Sequence, residues 1–298
     1  MSRPIPHVAP RPGRAYIAWV VVCLVWGTTY LAIRIALETV PPMLMAGIRW
    51  VIAGTILATV LIIRGVRLPS RQAWPTLATL GVLMTGVGNG GVVWAEQTVP
   101  SGLAALLVAA VPFWMVGTER FMLRAEPIGW RRAIGLVMGF AGTVLLVWPE
   151  LGRPGGQGMV AGVVATQLAC IGWAIGSAYS RRRRTDENVL AAAALQMLFG
   201  GGLLLLIGLV LGEGPALSFT QRTAGAVAYL IAAGSIAAYS AYLYALKHLP
   251  VATVSLYAYV NPVIAVVLGA LVLGEPLNGR IAVAGAIVLA GMMLVNRA

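Results

Sequence analysis

The chain has 298 residues, 59% of them hydrophobic and 10% charged, with a mean hydropathy of +0.88. Soluble domains are about 45–50% apolar and about 25% charged, so this composition excludes a water-exposed globule and points to a bilayer as the solvent. The net charge of +12 fits either nucleic-acid binding or loops anchored on anionic lipid, and the placement of the charges favours lipid.

Residues 1–14, MSRPIPHVAPRPGR, are too rich in Pro and Arg for a regular helix and read as a tail. A spanning helix needs about 20 mostly apolar residues. Such runs fall near 15–34, 43–63, 74–94, 103–121 and 132–148, then near 159–180, 189–211, 224–246, 252–273 and 281–296. The first is long enough to span and no small-residue cleavage site follows it, so it is expected to be an uncleaved helix rather than a signal peptide. Short connections carry breakers, among them Pro41-Pro42, Pro69, Pro100, Pro127, Pro149, Pro154, Pro215, Pro250 and Pro276. The predicted fold class is all-α, a polytopic membrane protein of ten transmembrane helices.

With the N-terminus in the cytoplasm, 16 of the 21 Lys and Arg residues fall on cytoplasmic segments, the run Arg181–Arg184 among them. Four (Arg34, Arg153, Arg222 and Arg280) fall outside, and Arg49 lies within a helix. This bias places both termini in the cytoplasm.

The chain repeats itself. Pro100 and Pro112 recur as Pro250 and Pro262, and Glu126-Pro127 recurs as Glu275-Pro276. Cys23-Leu24-Val25-Trp26 is matched by Cys170-Ile171-Gly172-Trp173, and Arg131 and Gly142 by Arg280 and Gly291. The predicted organisation is a tail at 1–14, one five-helix repeat over 15–150 and a second over 151–298. Five spans are an odd number, so the second copy must enter the membrane from the opposite side. Inverted repeats are the build of many secondary transporters, with the site at the repeat interface near mid-membrane.

Polar side chains at membrane depth face a cavity or one another. Trp26, Thr29 and Tyr30 share a face of helix 1. Asn89 and Gln97 form a stripe on helix 3, and Trp173 and Ser177 share a face of helix 6. Ser235, Tyr239 and Tyr242 run along helix 8, while Tyr257 and Asn261 follow Thr253 along helix 9. The predicted substrate-binding set is Trp26, Thr29, Tyr30, Asn89, Gln97, Trp173, Ser177, Tyr239, Tyr242, Tyr257 and Asn261. Aromatic walls with neutral hydrogen-bonding groups suit aromatic or amphipathic solutes with polar ends. Tyr and Trp near helix ends also form interfacial belts, and Ser or Thr also joins helices.

Arg49, Glu96 and Glu119 are the ionisable groups placed nearest membrane depth. Glu96 and Glu119 are candidates for proton coupling. Arg49 either pairs with a carboxylate or orients its helix. Glu126 and Glu275, each before a Pro at a helix end, are expected to fix the turn. Pro112 and Pro262 interrupt helices 4 and 9 at matching places and are predicted hinges.

The Trp26-Gly27 pair, PPMLMAGIRW at 41–50, and the duplicated spacing of two prolines and a Glu-Pro at 100–127 and 250–276 resemble the EamA family of the drug/metabolite transporter superfamily. The likeness covers about 15–296. It implies a ten-helix basket whose cavity is lined by helices 1, 3, 4, 6, 8 and 9. It also implies export of amino acids or related metabolites, and the aromatic content resembles YddG-type aromatic amino acid exporters.

Other classes fit poorly. The histidines are His7 and His248 and the one aspartate is Asp186, none placed at membrane depth, which disfavours an intramembrane protease. No nucleotide-binding G-x-x-x-x-G-K-[ST] motif is present. Cys23 and Cys170 read as buried small hydrophobes. The chain is expected to be a non-enzymatic carrier of a small-molecule substrate, monomeric in a bacterial inner membrane. No cofactor, metal or nucleic acid is expected. A solute channel and a multidrug or other metabolite carrier are the alternatives.

Overall fold

A computed structural model of the chain describes residues 12–122, 129–148, 156–183, 187–250, 253–254, 256–275 and 277–297. Every regular element among them is helical. α1 is Pro12–Ala36, α2 Pro42–Ile63 and α3 Trp74–Ala95. α4 is broken into Ser101–Val108 and Val111–Met122, and α5 is Trp130–Val147. α6 is Gly156–Arg182, α7 Val189–Val210, α8 Gln221–His248, α9 Tyr257–Leu273 and α10 Gly279–Arg297. Among the described residues, α1–α4 and α6–α8 each contain a segment long and apolar enough to cross a bilayer; α9 and α10 are apolar and shorter. The surface carries many large apolar side chains, with Ile63, Val137, Leu206, Val210 and Leu271 mostly exposed. Such a surface is stable only against lipid tails.

The helices pair by a rule that survives exchange of the two halves. α2 packs on α7 and α5 on α10; α3 packs on α6 as α8 packs on α1; α4 packs on α9. Counterparts that pack on each other reveal relative direction. Gly47 lies against Leu205 and Gly201 against Trp50, so α2 and α7 run antiparallel. At the other such crossing, a Cβ on Gly135 would stand 2.5 Å from the Gly291 carbonyl oxygen, and one on Gly291 would stand 2.6 Å from that of Gly135. Only glycine allows two backbones to touch in this way, as small residues do at helix contacts in membranes. The two five-helix halves are therefore inverted relative to each other.

Two features were not legible in the hydropathy. α3 widens into a π-helix over Gly81–Asn89, and α8 does the same over Leu230–Tyr239. They occupy matching positions in the two halves. A π-helical stretch disturbs the regular ladder and is frequent at functional sites. The second feature concerns the predicted hinges. α4 breaks at Ala109–Ala110, and Pro112 is the second residue of the helix that restarts, where a missing N–H costs nothing. Pro262 instead lies inside α9. The expectation of equal interruption at matching places is corrected: the two prolines sit in unlike contexts.

Glu275 accepts from the backbone N–H groups of Ser101 and Gly102 at 2.7 and 3.0 Å, closing the start of α4 from the other half. Glu213 accepts from Met43 and Leu44 at the start of α2, at 3.3 and 2.8 Å. A carboxylate there satisfies orphan donors and complements the helix dipole. Glu213 gave no signal in the repeat pattern. Glu126 lies outside the described residues, as do Pro127, Pro149, Pro154, Pro276, Asp186 and the tail before residue 12.

Candidate functional site

A cavity of about 70 Å³ lies where the two halves meet. That is below the roughly 300–1,000 Å³ of an open small-molecule site, so the walls must part to admit a solute. Its walls are Trp26, Thr29, Tyr30 and Ile33 of α1, Arg49 and Trp50 of α2, and Gly88, Asn89 and Val92 of α3. Val108 and Val111 flank the break in α4, and Ala169, Cys170 and Trp173 of α6 face Tyr257 and Asn261 of α9. Seven of the predicted residues thus meet in one space: Trp26, Thr29, Tyr30, Asn89, Trp173, Tyr257 and Asn261.

At the break in α4 the Leu107 carbonyl accepts the Ala110 N–H at 3.1 Å, and α6 packs over it. Gln167 donates from Nε2 to the Leu107 carbonyl at 3.4 Å, and its Oε1 accepts the Trp114 indole N–H at 2.9 Å. Cys170 Sγ is 3.9 Å from the same Leu107 carbonyl. Cys170 is as buried as expected, but it borders the cavity rather than filler packing.

One side of the cavity is closed by rings. Trp26 meets Trp173, Tyr242 and Tyr257 at centroid separations of 5.6, 5.1 and 5.2 Å. Tyr242 also meets Trp173 and Tyr257 at 5.5 and 5.9 Å. Three of these pairs (Trp26–Trp173, Trp26–Tyr257 and Tyr242–Tyr257) are edge-to-face, and aromatic pairs add about 0.5–1.5 kcal/mol each beyond area burial. A narrow gap of about 10 Å³, bordered by Pro112, Met115, Tyr242 and Leu246, lies across these rings towards the end where α1 starts. Trp26 is further tied to the second half by its indole N–H, which donates to the Gly234 carbonyl at 3.2 Å, within the π-helical stretch of α8.

Four predicted residues stand off the cavity wall. Tyr242 lies in the ring layer beneath it, with Ser177 buried beside it. Tyr239 is behind Trp50 and donates to Gln196 Oε1 at 2.6 Å, so its hydroxyl is spent on α7. Gln97 sits past the end of α3, where its amide donates to the Trp94 carbonyl at 3.0 Å. Helical spacing placed Ser177, Tyr239 and Tyr242 on an inward face but not at the cavity wall, and Gln97 lies beyond the helix expected to carry it. The helices lining the cavity are corrected too: α2 contributes directly, while α8 supports from behind.

The residues missed were Arg49 and Trp50 as cavity walls. Arg49 is 2% exposed. Its Nε donates to Ser235 Oγ at 2.8 Å and Nη1 to Asn89 Oδ1 at 3.4 Å. The same Asn89 oxygen accepts the Trp50 indole N–H at 2.9 Å, and the guanidinium carbon lies 4.7 Å from the Trp50 ring centroid. The signal for this was a lone arginine in an apolar run.

Glu96 is fully buried at the end of α3, and neither carboxylate oxygen has a hydrogen-bond partner among the described residues. Arg34 binds the carbonyls of Glu96 and Gln97 beside it. The side chain of Glu119 lies outside the described residues.

Comparison with known proteins follows this architecture. The EamA-like transporter family matches the chain twice, over residues 13–148 and 160–297. The chain is 36% identical over 261 residues to the uncharacterized inner membrane transporter YedA of Escherichia coli (strain K12), covering 86% of this chain and 81% of that protein. Protein PecM of Dickeya dadantii is 29% identical over 274 residues, covering 91% and 89%. The WAT1-related protein At3g02690, chloroplastic, of Arabidopsis thaliana is 25% identical over 291 residues, covering 94% and 70%. A solved crystal structure at 23% identity superposes with a TM-score of 0.68, covering 94% of this chain and 96% of that one, and so shares the fold. A family match that falls on both halves, and a close relative across most of the length, agree with the duplicated helical bundle: the chain belongs to the EamA-like transporter family.

Proposed function

We propose that this protein is a secondary transporter that exports small organic metabolites by alternating access, with aromatic or hydrophobic amino acids as its main substrates. The observation that carries the reading is a cavity walled by both inverted halves, with aromatic rings closing one of its sides. Inverted halves exchange conformations about a shared site, which is then exposed to each side in turn. Trp26, Trp173 and Tyr257 would hold an apolar or aromatic side chain; Thr29, Tyr30, Asn89 and Asn261 would meet its polar end.

The membrane is the bacterial inner membrane, in keeping with the description of YedA. Both termini are cytoplasmic, as the arginine bias argues. The ring layer then faces the cytoplasm. Glu96, buried without a hydrogen-bond partner among the described residues, couples transport to protons.

The test is counterflow in proteoliposomes, screened across amino acids with and without a pH gradient. A carrier shows uptake accelerated by substrate on the trans side. A channel shows none, and that outcome, or inactivity with every amino acid, overturns the reading. Glu96→Gln should abolish the response to the pH gradient while leaving counterflow; an unchanged gradient response removes Glu96 from coupling.

A further inference from the structure

We infer that Arg49 is the receptor for an anionic group on the solute, so that the cavity takes aromatic carboxylates and discriminates against their neutral and cationic analogues. This rests on the cavity being the solute site.

Three observations converge. First, Arg49 is the one charged residue among the described cavity walls, and it is almost wholly buried. A buried cation is costly unless an anion or several hydrogen bonds compensate it. Second, its compensation is incomplete. The bonds to Ser235 and Asn89 are to neutral oxygens, and no described carboxylate forms an ion pair with it. Glu96 acts on it through its field but makes no contact with it. Nη2 has no acceptor among the described residues. Nor does the Asn89 amide nitrogen, whose partner oxygen is held by Trp50 and Arg49.

Third, the guanidinium is held in place. Ser235 fixes Nε from α8, Asn89 fixes Nη1 from α3, and Trp50 lies against the plane. A Cβ on Gly234 would stand 3.0 Å from Nη2, so the glycine in the π-helical stretch makes room for the fork. A planar fork held this way presents its free N–H groups for a bidentate carboxylate, the geometry that arginine serves best. The neighbouring Trp26 and Trp173 supply the aromatic half of the same site.

The second half offers no equivalent. At repeat offsets of 147–150 the counterparts of Arg49 are Gln196, Met197, Leu198 and Phe199. A charge needed for packing or orientation by the shared scaffold would be expected in both copies. A charge for one solute group is needed once.

The test is a binding measurement by quenching of intrinsic tryptophan fluorescence on the purified full-length protein in detergent. The probes are 3-phenylpropionate, its amide and 3-phenylpropylamine, which share a ring and differ in charge. Wild type should bind the acid at least tenfold more tightly than the amide, and the amine weakest. Arg49→Gln should bring acid and amide to equal affinity, and Arg49→Lys should restore part of the preference, since lysine keeps the charge without the fork. Equal wild-type affinities, no binding of the acid, or a preference retained in Arg49→Gln overturns the inference. If Arg49→Gln does not fold, the wild-type series decides alone. Counterflow of the same probes keeps the two readings apart. Flux without acid preference leaves a transporter lacking an anion receptor; acid-selective binding without flux leaves the receptor and removes the transporter.

Discussion

In the first half, Arg49, Trp50 and Asn89 turn inward and border the cavity; in the second, Gln196 and Tyr239 occupy comparable stretches and satisfy each other behind the wall. Around this difference the scaffold is repeated faithfully. Both halves carry a π-helical stretch at the same place, and the counterpart helices cross back to back at glycines. The contrast separates two kinds of constraint. Helix crossings must be kept in both copies, because each half completes the packing of the other. The cavity needs each chemical group once, so the copies are free to diverge there.

The largest effect should come from breaking the shared scaffold. Gly201→Leu places a side chain where even a Cβ would stand 2.7 Å from Trp50 Cβ and 2.8 Å from the Val51 backbone nitrogen. Overpacking commonly costs about 1–3 kcal/mol and sometimes more, and here backbone has to move. Loss of monodisperse protein on size-exclusion chromatography is expected. Gly135→Leu should do the same at the other crossing. Tolerance of both would mean that the halves are not locked as described.

The next effect concerns Trp26, which joins the halves through three rings and the Gly234 carbonyl. Trp26→Ala should lower counterflow at least tenfold while the protein remains folded, since truncating a buried aromatic at a binding site commonly costs about 2 kcal/mol or more. Unaltered flux would remove the ring layer from the transport path.

The prolines sharpen the comparison further. Pro262→Ala supplies an N–H inside α9 and should stiffen it, slowing exchange several-fold. Pro112→Ala changes a position at the start of a helix and should slow it less. Exchange rates in proteoliposomes decide; equal effects would return the hinge to a symmetric role.

The smallest effects belong to the caps. Glu213→Ala and Glu275→Ala each remove an acceptor for two backbone donors of the opposite half. Each should cost about 1–2 kcal/mol, read as a lowered melting temperature in detergent without loss of substrate selectivity. A change in selectivity would mean that the caps set the cavity shape.

The chain's own order of residues was enough to find the spans, the duplication and the inversion. Span length, apolar runs and an odd helix count are local or countable properties, and lipid imposes them strongly because backbone groups have no other partner there. Helical spacing also identified Trp26, Thr29, Tyr30, Asn89, Trp173, Tyr257 and Asn261 as inward-facing. Ser177, Tyr239 and Tyr242 also face inward but do not border the cavity, and Gln97 is exposed past the end of α3, because a helical face says nothing of depth or of which partner takes the hydroxyl. The π-helical stretches in α3 and α8 escaped because they preserve hydropathy while shifting the register of the helix. Arg49 was visible as an isolated charge, yet its meaning depended on Ser235, 186 positions away, and Asn89, 40 positions away. Only tertiary packing brings such groups within hydrogen-bonding range and determines which donors remain free in the cavity.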